Sequence, residues 1–384
     1  NDAPARSADE AHLALYGLLG FRDPLRPAVP AAVAECQTAG IEVKMITGDH
    51  ALTARAIARA AGVVHGDDAV VTGPELAAAA PEERARLVAR AAIFARIDPA
   101  QKHEIVEILR RRGEVVAMTG DGVNDAPALR HAHIGIAMGR RGTDVARAAA
   151  DLVLLDDDFV SIVATVREGR HILAKIQTAF LYLLAFHVPI VALALIAPLL
   201  GLPLILKPLH FVWLELIVHP ISAFVFEGEP PAPDLMTRPP RAPSAALLPK
   251  APTRNAFAVG ATLTLAILVV YRAALPAGEP HARAMAIATQ ILGSQLLTLV
   301  ERVALQPRGV SFWPRTARFW IVWTLAGATL VPALWVPAIA RALELAPLGA
   351  RDLTLTAVAA LAAVGWVMAF DVRASALRPG LSHP

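Results

Sequence analysis

From residue 176 to residue 206 the chain carries no Asp, Glu, Lys or Arg. About 20 residues of helix cross a hydrocarbon core roughly 30 Å thick, so this one stretch already points to a membrane. Five more apolar windows follow: 208–226, broken only by Glu215, then 255–271, 284–300, 319–340 and 353–370. Gly201-Leu202-Pro203 reads as the turn after the first window. The sequence therefore predicts six spans. A large soluble core with buried helices is the alternative, and the short Arg- and Pro-rich connectors argue against it. Residues 227–254 are proline-rich and read as a stiff loop, not a domain.

Charge divides the chain at Lys175. Residues 1–175 hold 21 basic and 24 acidic side chains, an ordinary soluble balance. The remainder holds 15 and 9, at less than half the density. This excludes a wholly soluble enzyme and a disordered tail, and a single Cys36 excludes a disulfide scaffold. With a net charge of only +3 and no basic stripe, nucleic acid is not an expected partner; the lipid bilayer is. If residues 1–175 are cytoplasmic, that side also receives Arg238, Arg241, Lys250, Arg254, Arg302, Arg308, Arg315 and Arg318. The opposite loops carry Lys207, Arg272, Arg283, Arg341 and Arg351. The bias favours this orientation and returns the C-terminus to the cytoplasm.

In residues 1–158 apolar runs alternate with helical patterns. Strands are expected at 13–21, 41–46, 92–95, 114–118, 134–137 and 152–155, and helices at 27–38, 51–61 and 99–112. That alternation predicts an α/β domain with a parallel sheet, whose chemistry sits at the carboxyl ends of its strands. Two motifs fall there. Thr47-Gly48-Asp49 leaves a strand and enters a helix, offering a hydroxyl, a tight turn and a helix N-terminus suited to an anion. A simple helix cap by Asp49 explains the same residues equally well. Thr119 to Leu129 places Asp121 and Asp125 four residues apart on a Gly-rich turn, a hard oxygen site suited to Mg²⁺. Between them Lys102 falls on the first turn of a helix. A lone Lys there is ordinarily a solvated face residue, but beside a Mg²⁺–phosphate site it becomes a charge partner.

These stretches resemble the P-type ATPases, whose phosphorylation domain has the haloacid dehalogenase fold. The match runs through Asp23-Pro24-Leu25-Arg26-Pro27, Thr47-Gly48-Asp49, Phe94-Ala95-Arg96 to Lys102, and the block 119–129. It continues through Ile134 to Gly139, Asp151 to Leu155 and Glu168-Gly169-Arg170, and the six spans look like the last six of a ten-span cation pump. The resemblance implies a haloacid dehalogenase-like, Rossmann-like sheet, incomplete in this chain, followed by an all-α six-helix membrane domain. It implies Mg²⁺ and ATP as cofactors and a transported cation as partner, with a bacterial plasma membrane as the expected location. Asp121 would hold the Mg²⁺, with Asp125 on the same metal side ordering the site. Thr47 and Lys102 would contact the phosphoryl group, Asn124 would donate to it, and Gly48 and Asp49 would line it. Arg26 and Arg96 match positions near the nucleotide.

The family's Asp-Lys-Thr-Gly-Thr nucleophile block does not occur in these 384 residues, nor does its Thr-Gly-Glu block. The expectation is a carboxyl-terminal part that cannot complete the cycle without an amino-terminal part of the same pump, leaving a gap in the sheet. Its segments are residues 1–158, a stalk with two spans at 159–226, the loop 227–254 and four spans at 255–384. A phosphatase-like or non-catalytic membrane protein with the same domain is the alternative.

For the cation, the resemblance points to the first two spans. Glu215 is the only acidic residue in the six windows, and His219 lies four residues on, so both share one helix face. His187 and Pro189 are expected to interrupt the first span. Gln290, Ser294 and Gln295 read either as ligands or as packing between helices. His219 and Ile190 stand where calcium-type relatives carry carboxylates. Glu with His suits a transition metal or a proton relay, and both stay open.

Overall fold

Short runs of three to five apolar residues, bounded by Gly, Thr and Asp, suit strands covered on both faces. The computed structural model describes residues 16–17, 24–64, 70–304 and 313–376, and among them are six short strands of two to five residues. The chain divides into two compact units, broadly residues 1–162 and 163–384. In the first, α1 (Val29–Thr38), β1 (Met45–Ile46) and α2 (Ala51–Ala60) are followed by β2 (Val70–Thr72), α3 (Gly73–Ala78), α4 (Pro81–Arg90) and β3 (Ile93–Ala95). Then come α5 (Pro99–Arg111), β4 (Ala117–Gly120), α6 (Ala126–His131), β5 (Ile134–Met138), α7 (Asp144–Ala149) and β6 (Leu152–Leu154).

Every ladder is parallel. The strands form two sheets of three, ordered β1-β3-β2 and β4-β5-β6, with Ile46 opposite Phe94 and Thr119 opposite Ile136. Among the described residues β1 and β4 each pair on one side only. The strand expected at 13–21 falls outside the described residues, apart from Tyr16 and Gly17, which are in no regular element. The expected strand at 41–46 shrinks to two residues, and the one at 114–118 shifts to 117–120 because its register is set by β5. Two capping boxes fix the helix starts that matter. Thr72 and Glu75 start α3, and Asp98 and Gln101 start α5 behind Pro99, which puts Lys102 on the first turn.

Asp157 closes the second sheet. Its backbone takes φ +53°, and its carboxylate accepts from the amides of Arg140 and Arg141, both at 2.9 Å. Burial opposes ionisation, but these amides and that of Gly139 outweigh it and hold the carboxyl below its usual range. A depressed folded value contributes stability that is full above the unfolded carboxylate range and is lost as pH falls through the folded value. Asp157→Asn is therefore expected to lower the unfolding temperature at pH 7 and to leave a smaller difference from the parent at pH 3. Equal differences at both pH values would contradict the assignment.

Among the described residues, six helices are long and apolar enough to cross a membrane: Phe159–Leu199, Pro208–Gly228, Lys250–Ala277, Glu279–Val303, Ala317–Trp335 and Ala350–Val367. The first is one helix, α8 (Phe159–Leu199). It stays continuous through Pro189 and Pro198, which corrects the expected interruption at His187 and Pro189. The carbonyl that Pro189 leaves unbonded belongs to Ala185, and the third of these helices brings Gly260 against it, where a Cβ would lie 3.0 Å from that oxygen and 2.5 Å from Val188 Cβ. The helix ends where Gly201 adopts φ +67°, before the predicted limit at 206.

The second span combines α9 (Pro208–Trp213), a π-helical turn at Leu214–Val218 and α10 (His219–Ala223). Next come α11 (Lys250–Ala274) and α12 (Glu279–Ala304). The fifth span is built from α13 (Ala317–Ala328) and α14 (Leu330–Trp335), with α15 (Pro337–Ala342) beyond it; Pro337 restarts the chain after extended Val336. The last helix is α16 (Ala350–Ala376). The core of the second unit centres on α12, whose membrane window is 89% buried, against 39% or less for the other five. Arg283 on α12 is 1% exposed, and its guanidinium reaches the carbonyls of Glu344 at 3.1 Å and Leu204 at 3.4 Å.

Candidate functional site

The phosphate-type motifs of the first unit lie at the carboxyl ends of β1, β3 and β4. Thr47 follows β1. Its amide donates to Phe94 and its carbonyl accepts from Ile97, so it is stitched to the β3 end. Its Oγ1 accepts from the Asp49 amide at 3.1 Å, closing the turn over exposed Gly48. The N-cap of α2 is His50, whose Nδ1 accepts from Leu52, so the cap reading of Asp49 does not hold. Arg96 follows β3 with φ +52°, its amide bonded to the Asp49 carbonyl. A left-handed non-glycine residue costs about 1–3 kcal/mol, and here the turn fixes an exposed guanidinium beside the Thr47 loop.

Lys102 projects from α5 to the block after β4. Its Nζ lies 2.7 Å from Asp125 Oδ1, with Lys102 20% and Asp125 9% exposed. The other oxygen, Oδ2, accepts from the amides of Asp121 at 3.3 Å and Gly122 at 3.2 Å. Asp125 thus has both oxygens committed to ordering the loop, not to facing a metal. Asp121 is the opposite case. Its backbone is pinned through its amide and through its carbonyl, which accepts from Thr143 at 2.8 Å, while its carboxylate is exposed with no partner among the described residues. A free carboxylate beside a Lys and exposed backbone suits a hard cation such as Mg²⁺, and Asn124 is exposed on the same turn. Arg26 is an exposed residue whose Nη1 donates to the carbonyl of buried Asp157.

Gly120 allows this arrangement. A Cβ there would fall 2.5 Å from Asp125 Cβ and 2.8 Å from its Cγ. Gly120→Ala is expected to push Asp125 off Lys102 and to destabilise the unit by about 1–3 kcal/mol, read as a lower unfolding temperature. An unchanged temperature would mean that the loop yields freely.

In the second unit, His187 and Glu215 meet between α8 and the π-helical turn. His187 Nε2 lies 3.1 Å from Glu215 Oε2, and both side chains are about one-third exposed. His187 Nδ1 faces the Leu183 carbonyl at 2.7 Å, and a carbonyl only accepts, so Nδ1 carries a hydrogen. A hydrogen bond from Nε2 to Glu215 then requires one more proton, on the imidazole or on the carboxyl. His219 sits 5.4 Å from the His187 ring and packs against Tyr182 at 5.8 Å and Phe186 at 5.1 Å, which also touch each other. All three side chains named from the sequence therefore share one layer. The π-turn, which no periodicity signals, is what aims Glu215 at α8.

Comparison with known proteins decides the family. The model for the carboxyl-terminal region of cation-transporting ATPases matches residues 203–372, and that for haloacid dehalogenase-like hydrolases matches residues 2–133. The chain belongs to the P-type cation-transporting ATPases. A calcium-transporting ATPase of Bacillus subtilis is 38% identical over 295 residues, covering 76% of this chain and 33% of that protein. A probable cation-transporting ATPase F of Mycobacterium tuberculosis is 47% identical over 242 residues, covering 62% of this chain and 26% of that one. An endoplasmic reticulum-type calcium-transporting ATPase of Arabidopsis thaliana is 42% identical over 239 residues, covering 61% and 22%. The chain spans about a third or less of these relatives. The α/β unit is thus haloacid dehalogenase-like, and the second unit, with its helices long and apolar enough to cross a membrane, matches the family's carboxyl-terminal region.

Proposed function

We propose that this chain is the carboxyl-terminal part of an ATP-driven cation pump that works through an aspartyl-phosphate, with residues 1–175 and the C-terminus cytoplasmic. The nucleophile comes from a segment outside these residues, on a strand that pairs with the one-sided edges of β1 and β4. Asp121 would hold a Mg²⁺ through its carboxylate, and the metal would supply neutralisation of charge on the transferred phosphoryl group. Lys102, on the first turn of α5 and held by Asp125, presents the compensating cation. Thr47 and Asn124 orient the phosphoryl oxygens, with Gly48 and Asp49 shaping the turn and Arg26 and Arg96 at the nucleotide side. Phosphoryl transfer needs little else from a protein than such positioning and charge.

The cation is held by Glu215 with His187 and His219. The observation that carries this reading is the His187–Glu215 pair at 3.1 Å within a bundle of membrane-length helices, because ionisable groups at membrane depth are costly unless they serve transport. In the complete pump, Glu215→Gln is expected to remove cation-stimulated ATP hydrolysis, at least tenfold, while phosphorylation by inorganic phosphate persists. Unchanged cation-dependent turnover would move the cation site to spans outside this chain.

A further inference from the structure

Where the second span begins, one fully buried titratable side chain takes no part in the Glu215 layer. His210, on the first turn of α9, is 0% exposed. Its Nδ1 lies 3.0 Å from the Lys207 amide, and its Nε2 lies 2.7 Å from the Leu343 carbonyl. An amide N–H only donates and a carbonyl only accepts. The ring therefore keeps Nδ1 bare and carries its hydrogen on Nε2, so it is neutral, in one tautomer, with both nitrogens used. Through these two bonds it ties the start of the second span to Leu343, the residue that ends α15.

The fixed charges that act on the ring are those of Lys207, Arg283 and Glu344. Lys207 Nζ pairs with the Glu344 carboxylate. Arg283, 1% exposed, has Nη2 at 3.3 Å from the Glu279 carboxylate and Nη1 at 3.6 Å from that of Glu344. Two cations thus already face two carboxylates. The other titratable groups at this end are held elsewhere. Tyr271 donates to the Pro203 carbonyl at 3.2 Å, Arg341 Nε donates to the Pro337 carbonyl at 3.1 Å, and His281 lies 3.8 Å from Asp352. Arg272 and Arg351 are exposed. A proton on His210 Nδ1 would set donor against donor at the Lys207 amide. It would also add a third cation, without a counter-charge, at a position closed to water.

We propose that His210 is an acid-sensitive latch. Neutral, it fastens the second span to the end of α15; protonated, it lets go of the Lys207 amide and the junction opens. Imidazole is the side chain whose charge changes nearest neutrality. The links beside it, Lys207 to Glu344 and Arg283 to the Leu204 and Glu344 carbonyls, keep their charges there. Glu215 lies five residues beyond His210, about 7–8 Å along the helix at 1.5 Å per residue, so the latch holds the foot of the helix that carries it. On the orientation proposed above, the acid comes from the compartment opposite residues 1–175; the latch itself does not rest on that orientation.

Amide hydrogen exchange of the whole chain in phospholipid nanodiscs, where both faces meet the buffer, tests the latch between pH 7.5 and pH 4.5. Rates are corrected for the intrinsic effect of pH, and the Lys207 amide and residues 343–345 are the reporters. Their protection in the parent should fall at least tenfold in one titration step as pH drops, while residues 284–300 stay protected. His210→Gln still offers an acceptor and a donor but cannot titrate, so its protection should stay within twofold at every pH. His281→Gln and Glu215→Gln should titrate like the parent. If His210→Gln does not fold, His210→Asn, which keeps an acceptor for the Lys207 amide, takes its place with the same flat profile expected at Lys207. Constant protection in the parent, a His210 variant that titrates like the parent, or loss of the response in His281→Gln or Glu215→Gln would each overturn the latch.

Discussion

In the complete pump, Asp121→Asn is expected to abolish the acid-stable phosphoenzyme formed from ATP, by at least a hundredfold. The reason lies in how the residue is held. The Asp121 main chain is fixed at both ends, by the Asp125 carboxylate on its amide and by the Thr143 amide on its carbonyl. Its side chain meets no protein partner among the described residues and is exposed. Asn preserves shape and both main-chain bonds, so the loop should survive and unfolding should shift by no more than about 0.5 kcal/mol, as for other exposed positions. What disappears is one full negative charge at the only carboxylate of the block that is free to meet a metal. Removing a single preorganised electrostatic contact of this type costs about 2.7–4 kcal/mol of barrier, or 10²–10³ in rate. Normal phosphoenzyme in a folded Asp121→Asn protein would remove Asp121 from the Mg²⁺ site.

The turn that carries Asp121 and Asp125 and the layer made by His187, Glu215 and His219 were legible because each rests on residue types that are expensive where they stand. An acidic residue in an apolar window, or two carboxylates on a Gly-rich turn after a strand, has few bland explanations. Other features left no such mark. Helix α4 carries Glu82, Glu83, Arg84, Arg86 and Arg90 and buries only Val88, so no apolar stripe announces it. The cage around Asp157 is made of backbone amides, which every residue owns. The π-turn at Leu214–Val218 has no mark in the composition of the second span, and α8 stays continuous through Pro189, where Gly260 lets a neighbouring helix close on the freed carbonyl. Division into two sheets also follows from pairing between distant strands, which local pattern does not encode. Sequence thus pointed to side chains that the structure brings together, and it left their supports unmarked.

Lys102 is the residue where support and chemistry coincide, and a double-mutant cycle separates them. Its ammonium pairs with a carboxylate that is 9% exposed, so Lys102→Met leaves Asp125 charged, nearly buried and held only by two long amide contacts. Breaking a fully buried pair costs about 3–5 kcal/mol and an exposed one less than about 1, and at 20% exposure of the Lys side chain a loss of about 2 kcal/mol is expected. Asp125→Asn in the same chain removes the stranded charge and can still accept the Asp121 and Gly122 amides, so the double variant should regain most of that stability. Phosphoenzyme formation should not return. If Lys102 also faces the transferred group, its charge is missing from the double variant however well the loop is restored, and the loss should stay at a hundredfold or more. Recovery of phosphorylation together with stability would make Lys102 a structural partner of Asp125 and nothing more.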